Sequence, residues 1–377
     1  MSEFIRAFSI PKESFLLLGP RGTGKSTFLK DSFPKAKYID FLDPETFRSY
    51  SAKPERLREF VDGNRDTKQF ILDEIQKVPD ILSVVHELIE KKKGLQFILT
   101  GSSARKLKRT GVDLLAGRAL LCRMHPFTAS ELGKEFHLEK ALKIGLLPLA
   151  YFKDEPLETL RAYLGLYIKE EVLAEGLVRN IGNFSRFLEA ASFSHGSILN
   201  TSNIARESGV ERKTVEGYLS VLEDLLLSFT LPIFSKKAKR ELVAHRKFYF
   251  FDTGIYSSIR PQGVLDSPEQ MQGPLLEGLV AQNIRANIDY LRKDCNLYYW
   301  RTRSGVEVDF VVYGNKTFQA IEVKNSNKIR NEDLKGLNSF LEDYPSCEAF
   351  FLYRGKEKLK KGNILCMPVE EFLLNQF

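Results

Sequence analysis

Apolar residues recur in short unbroken runs that end on glycine, acidic or hydroxyl residues. Ser14-Phe-Leu-Leu-Leu-Gly19 has no polar alternation, which predicts a parallel strand buried on both faces. Gln69-Phe-Ile-Leu-Asp-Glu74 and Leu95-Gln-Phe-Ile-Leu-Thr-Gly-Ser-Ser103 repeat the pattern, and Ala119 to Phe127 supplies a fourth strand. Thr27 to Asp31 and Ala104 to Leu115 read as helices between them. From Pro156 to Ile181 the chain is charged and reads as one long helix. Ser202 is placed to cap a short helix, Gly209 to turn the chain, and Glu211 to Leu222 to form a second helix with Val215, Leu219 and Leu222 inward. Further on, Leu275 to Ile288 reads as an amphipathic helix. Asn296 to Trp300, Val306 to Val312 and Phe318 to Lys324 read as strands, with a turn at Gly314-Asn315. The expected map is a multidomain α/β chain with boundaries at 1–130, 131–182, 183–262 and 263–377.

Length agrees, since 377 residues exceed one typical core and suggest two to four domains. A hydrophobic share of 43% is enough to fill them, which excludes a disordered or fibrous chain. The net charge of +7 permits a polyanionic partner without requiring one. Cys122, Cys295, Cys347 and Cys366 lie far apart, and neither they nor the five histidines show zinc spacing, so reduced thiols are expected. MSEFIRAFSI lacks the apolar core of a secretory signal, and no apolar stretch has membrane-spanning length. A cytoplasmic protein with no membrane association is expected.

The first strand runs into Gly19-Pro20-Arg21-Gly22-Thr23-Gly24-Lys25-Ser26, a full GxxxxGK[ST] match, followed by Thr27. Glycines let the loop curl so that its N–H groups face phosphate oxygens, and the following helix adds its positive end. Lys25 is then placed for the β- and γ-phosphates of ATP and Ser26 for Mg²⁺. The adjacent carboxylates ending the second strand suit a Walker B role. Asp73 would hold Mg²⁺ and Glu74 would polarise the attacking water. Thr100 and Ser102, on the tip of the third strand, are candidates to sense the γ-phosphate. A bare glycine turn or a strand running into a loop would explain each piece singly, but not their succession.

That succession, closed by Ala116-Gly-Arg118 before the last strand, resembles the AAA+ ATPases. The resemblance implies a helical lid over 131–182, an arginine finger at Arg118, and a homo-oligomer in the form of a hexameric ring. It also implies a sensor arginine in the lid, where Arg161 and Arg179 are both available. The middle region reads as a winged helix. Arg212, Lys213 and Thr214 open its second helix, where a recognition helix meets DNA. Lys236, Lys237, Lys239, Arg240, Arg246 and Lys247 form a basic wing suited to phosphates. Solvated charges or a protein-docking module are the bland alternatives.

In the last region Glu322 and Lys324 are two apart on one strand and share a face, and Asp309 lies on the adjoining strand. This Asp…Glu-x-Lys pattern resembles the PD-(D/E)xK nucleases of restriction-endonuclease-like fold. The resemblance implies that Asp309, Glu322 and Glu277 bind Mg²⁺ or Mn²⁺, and that Lys324 assists cleavage. Val308 departs from the proline of that motif. Exposed charges on an edge strand would explain the triad cheaply, but apolar Ala320, Ile321 and Val323 surround it. Over nearly its whole length the chain resembles a prokaryotic group of AAA+ ATPases with a C-terminal domain of formerly unknown function. It shares Ile75-Gln-Lys-Val-Pro79, Leu99-Thr-Gly-Ser-Ser103, Trp300-Arg-Thr302 and Glu307-Val-Asp-Phe310. The expectation is an ATP-dependent enzyme that binds duplex or branched DNA and cleaves it. Glu322-Val-Lys-Asn-Ser326 resembles Holliday-junction resolvases. The alternative is a nucleotide-dependent regulatory switch whose nuclease-like domain is a non-cleaving platform. A protein-remodelling chaperone has no dedicated substrate domain here.

Overall fold

The computed structural model describes residues 5–91, 94–103, 117–168, 172–173, 178, 180–235, 246–263 and 268–375. They form two compact units. One comprises Phe8–His125 with Asp224–Leu226, and the other holds the remainder.

The first unit is built on a five-stranded parallel sheet. Its strands are β1 (Phe15–Leu18), β2 (Lys37–Asp40), β3 (Gln69–Asp73), β4 (Gln96–Gly101) and β5 (Leu120–Arg123), in the order β2-β3-β4-β1-β5. β1 is fully buried, as its unalternated run requires, and Leu16, Leu18, Phe70, Leu72, Phe97 and Leu99 pack in one core. Phe70 and Phe97 stack across neighbouring strands at 5.7 Å. β2 was not anticipated, because Lys37-Tyr-Ile-Asp is a half-polar edge strand. The helix after it, Pro44–Ala52, has an explicit start. Asp43 accepts from the Thr46 N–H at 2.8 Å and proline sits in the first turn. The helix after β1 runs Lys25–Ser32, and β5 is shorter than the expected 119–127. The expected helix over 104–115 lies outside the described residues.

In the second unit the region from 131 to 182 begins with short helices, and the helix expected from Pro156 is helical through Ile168, with most of its remainder to Ile181 outside the described residues. Leu138–Ile144, Pro148–Tyr151 and Pro156–Ala162 are followed by a π-helical turn at Tyr163–Ile168. Next, helix Thr201–Ser208 ends on Gly209 in the left-handed region, and helix Arg212–Asp224 follows. Asn200, not Ser202, provides the cap, through the Asn203 N–H at 3.0 Å. Tyr218 joins Val215 and Leu222 inside, while Leu219 is half-buried. Strands β6 (Ser197–Ile198), β7 (Ser228–Leu231) and β8 (Lys247–Phe250) make an antiparallel sheet in the order β6-β8-β7.

A six-stranded mixed sheet completes this unit. It consists of β9 (Cys295–Arg301), β10 (Glu307–Gly314), β11 (Phe318–Lys324), β12 (Glu348–Tyr353), β13 (Leu359–Lys361) and β14 (Ile364–Pro368), in the order β13-β14-β12-β11-β10-β9. β9, β10 and β11 are antiparallel neighbours, whereas β11, β12 and β14 are parallel. Helix Lys335–Asp343 buries Leu337 and Phe340 against Trp300, Val308, Val311 and Ala320. Helix Pro268–Tyr290, longer than the expected 275–288, packs on the same sheet. Among the described residues no helix is long and apolar enough to cross a membrane.

His195 lies at the junction of these elements. Its ring stacks on Tyr256 at 4.0 Å, and its Nδ1 accepts the Phe250 N–H at 3.1 Å. Burial pushes its pKa down from 6.5 to about 3. Below pH 6.5 the unfolded chain therefore binds a proton that the folded chain refuses. This group costs stability as pH falls, with a slope approaching about 1.4 kcal/mol per pH unit. Denaturant midpoints measured between pH 7 and pH 5 should fall less steeply in His195→Gln than in the wild type. Parallel slopes would refute this linkage.

Candidate functional site

The parallel order brings three strand ends to one edge of the first sheet. β4 lies between β3 and β1, so the residues after Leu18, Asp73 and Gly101 converge there, at the carboxyl ends where open α/β sheets bind ligands. Gly19 N–H donates to Gly101 O at 3.2 Å, which ties the loop to β4. Gly22 and Gly24 have φ of 82° and 86°, a left-handed backbone that turns loop N–H groups inward and that side chains disfavour. Lys25 is buried, and its ammonium lies across its own loop, donating to Gly19 O at 2.7 Å and Pro20 O at 3.1 Å. Thr23 Oγ1 donates to Pro20 O at 2.8 Å, bracing the turn from inside.

Asp73 and Glu74, the acids expected to serve as Walker B, are buried and hydrogen-bonded. Ser26 Oγ donates to Asp73 Oδ2 at 2.7 Å, and the Tyr38 hydroxyl donates to the same oxygen. Thr100 Oγ1 donates to Asp73 Oδ1 while accepting the Glu74 N–H at 2.9 Å. Glu74 Oε2 accepts from Ser102 Oγ at 3.0 Å and from Gln76 Nε2, which also donates to Ser102 at 2.8 Å. Thr100 and Ser102, expected to read the γ-phosphate, thus hold the two acids in place. Glu74 itself has φ of 60° and ψ of 49°, a left-handed conformation that costs a non-glycine residue about 1 kcal/mol. Strain of this kind persists only where neighbours over-determine it, and here Thr100, Ser102 and Gln76 do so.

Sequence reasoning missed two of these roles. Gln76 stood only in a shared motif, and Tyr38 was not singled out at all. An amide two residues beyond Glu74 was a readable signal for the first, whereas nothing local links Tyr38 to Asp73. Arg118 precedes β5, whose Leu120 pairs with Phe15 at the start of β1, so it sits at the sheet edge opposite the phosphate loop. Its Nε donates to Glu90 Oε1 at 2.9 Å. Arg161 is exposed on helix Pro156–Ala162, and Arg179 lies outside the described residues.

Arg212 and Lys213 are exposed at the start of their helix, and Arg212 pairs with Glu216 at 2.9 Å. Thr214 is half-buried. Lys236, Lys237, Lys239 and Arg240 lie outside the described residues, while Arg246 is exposed. Lys247 does not take the expected place on a basic wing. The first residue of β8, it is buried with its side chain 3% exposed, and its Nζ lies 2.5 Å from Glu307 Oε1, 3.1 Å from Glu277 Oε1 and 3.2 Å from Asp309 Oδ1. Alternation along β8 turns Lys247 and Tyr249 the same way. The Tyr249 hydroxyl donates to Glu277 Oε1 at 2.5 Å.

Asp309, Glu322 and Glu277 do converge. Phe310 pairs with Ile321, which sets Asp309 opposite Glu322, and Asp309 Oδ2 accepts the Val323 N–H at 2.9 Å. Burial, with Asp309 nearby, pushes Glu277 up to about 7 and holds Glu322 well above the usual carboxylate range. Burial alone would lower Lys247, but Glu277, Tyr249, Asp309 and Glu307 raise it well above the ordinary lysine value. Glu322 Oε2 is buried without a hydrogen-bond partner. It lies beside an open cleft of about 520 Å³, lined also by Lys324, Arg330, Asp333 and Lys335. Lys324 is half-exposed, 3.7 Å from Asp333.

The two centres differ as metal sites. One hydroxyl and one carboxylate, Ser26 and Asp73, fit Mg²⁺, which binds protein through one or two such groups and keeps several waters. The expected ligands Glu277 and Asp309 instead share the ammonium of Lys247. Among the described residues no group of three or more His, Cys, Asp or Glu is arranged to hold a metal ion.

Comparison with known proteins divides the chain into three segments. Residues 11–133 match the family described as an AAA domain. Residues 135–265 and 272–372 match two domains of unknown function, DUF8612 and DUF4143. The chain is similar to the uncharacterised proteins Rv2008c of Mycobacterium tuberculosis and Mb2031c of Mycobacterium bovis. Each is 24% identical over 370 residues, covering 95% of this chain and 80% of the relative. Among solved structures it is similar to domain III of the Thermotoga maritima replication initiation protein DnaA, at 14% identity and a TM-score of 0.26 over 43% of this chain and 78% of that one. It is also similar to replication initiator DnaA bound to AMPPCP and single-stranded DNA, at 17% identity and a TM-score of 0.29 over 56% and 82%. Protein VC1899 from Vibrio cholerae matches at 12% identity and a TM-score of 0.22 over 96% and 95%. Those scores are too low to carry a shared architecture. The AAA domain match, with the loop and paired acids above, supports a nucleotide-dependent ATPase of the AAA class.

With Lys25 in the phosphate-binding role expected from the sequence, its removal would delete charge-assisted bonds worth about 1.5–3 kcal/mol. Lys25→Ala should weaken binding of a fluorescent ATP analogue by roughly ten- to a hundredfold in a direct titration. Unchanged affinity would remove Lys25 from the phosphate site.

Proposed function

We propose that this chain is an AAA+ ATPase that acts on duplex or branched DNA as a homo-oligomer, with Arg118 reaching the nucleotide of a neighbouring copy. The observation that carries the ATPase reading is the set of bonds on Asp73 and Glu74. Ser26, Tyr38 and Thr100 aim one carboxylate at the phosphate loop, and Ser102 and Gln76 fix the other as a water-polarising base. When bound, Mg²⁺ neutralises charge that develops on the transferred phosphoryl group. The remaining work falls to the protein. The loop N–H groups and Lys25 orient the phosphates, and Glu74 orients the water. Arg118 stands at the far edge of its own sheet, which favours action in trans.

DNA contact is supported by two helices joined at Gly209 beside a three-stranded antiparallel sheet, the make-up of a winged helix. Arg212 and Lys213 are exposed at the start of the second helix, with Arg246 exposed nearby in sequence. For the restriction-endonuclease-like last region, a non-cleaving platform is the reading we favour, because Lys247 already neutralises the acids expected to hold metal. Cleavage is the second reading, favoured by Glu322 Oε2, which lies unpaired beside the cleft that Lys324 lines.

The test is ATP turnover with no DNA, linear duplex and a four-way junction, scoring DNA cutting in the same tubes. Turnover should rise severalfold with DNA and disappear in Glu74→Gln, while the DNA stays intact. Gln76→Ala should lower turnover about tenfold, the loss of roughly one hydrogen bond to a charged group. No turnover by the wild type would refute the ATPase, turnover indifferent to every DNA would refute the DNA role, and cutting lost in Asp309→Ala would restore the nuclease.

A further inference from the structure

We infer that Lys247 is the resident cation of the C-terminal acidic centre, and that its ammonium takes the place a divalent metal would need. This rests on the platform reading of the last region and gives it a physical cause. A lysine ammonium has three donors; here it donates to Glu277 Oε1 and Asp309 Oδ1 and forms an ion pair with Glu307 Oε1, three carboxylates on two different elements. Glu277 comes from helix Pro268–Tyr290, and Glu307 and Asp309 come from β10. Glu307 and Asp309, two apart on one strand, share a face and reach the same nitrogen, next to a register shift between Val308 and Val311.

The spacing is that of an ammonium, and a small divalent ion in its place would draw the acids closer. Mg²⁺ demands oxygens at about 2.0–2.1 Å in octahedral array, whereas these lie 2.5 to 3.2 Å from Nζ. Other bonds also hold the acids around the ammonium. Tyr249 occupies Glu277 Oε1, the Val323 N–H occupies Asp309 Oδ2, and Arg301 Nη1 lies 3.2 Å from Glu307 Oε2. Glu322, the acid that Lys247 does not pair, is left with a buried, unmatched oxygen. The centre is thus one cation short of the set its acids could satisfy, and the lysine occupies the position from which a metal would serve them.

Removing the ammonium without removing the acids converts the cluster into a cation site. The full-length, nucleotide-free chain is titrated with Mn²⁺ by calorimetry and by loss of the free-ion paramagnetic signal, with circular dichroism verifying the fold of each variant. Wild type and Asp309→Asn should take up Mn²⁺ identically. Lys247→Met, which keeps a long apolar side chain, should gain one Mn²⁺ at least tenfold tighter than any wild-type uptake, and lose it when Asp309→Asn is added. Lys247→Arg, which keeps the charge, should gain none. An Asp309-dependent Mn²⁺ site in the wild type would overturn the inference, as would a folded Lys247→Met that binds no more Mn²⁺ than the wild type. The wild-type comparison decides the matter even if Lys247→Met fails to fold. The readout needs neither ATP nor DNA, so it is independent of whether DNA stimulates turnover.

Discussion

The ammonium of Lys247 determines how the second unit is put together. It reaches from β8 of the three-stranded sheet to helix Pro268–Tyr290 and to β10 of the larger sheet, making one charged contact common to three elements. A buried charge without a partner is costly, and deleting one member of such a set typically costs about 3–5 kcal/mol. The short sheet and the larger sheet are therefore held in register by ionic matching as well as by apolar packing. The same contact makes Glu277, Glu307 and Asp309 structural acids first.

The nucleotide site meets the same constraint differently. Asp73 and Glu74 are as buried as the acids around Lys247, but their partners are hydroxyls and an amide. Neutral donors orient a carboxylate without supplying a countercharge. An ammonium supplies one in place. Two clusters of comparable burial thus have opposite dispositions toward metal, and the difference lies in partner chemistry and not in the number of acids.

Much of this was legible in the sequence. Buried strands β1, β3 and β4 announced themselves as unalternated apolar runs, and β11 was bounded to the residue, as an apolar run interrupted by Glu322 and Lys324. The phosphate loop and the paired acids were readable because their chemistry is compressed into adjacent residues. Edge strand β2 and helix Pro44–Ala52 were not anticipated, although Asp43-Pro44 is a readable start. What escaped were partners distant in sequence: Tyr38 for Asp73, Thr100 for both acids, Lys247 for Glu277 and Asp309. Lys247 was misleading for a definite reason. It closes a run of basic residues, and the run gives no sign that strand alternation turns its last member inward.

The strand order of the first sheet also bears on how the chain acquires its shape. β1 is made first, yet both of its partners come late. It pairs with β4 at residues 98 to 101 and with β5 at residues 120 to 123. A fully apolar segment must therefore wait, unpaired, while most of the unit is synthesised, and the pairing that ends the wait closes a loop of large entropy cost. Until β4 and β5 emerge, nascent chains carry β1 as an exposed apolar strand, a natural client for chaperones. Truncation before β5 would leave that strand without its second neighbour, and such fragments are expected to aggregate instead of folding to a smaller sheet.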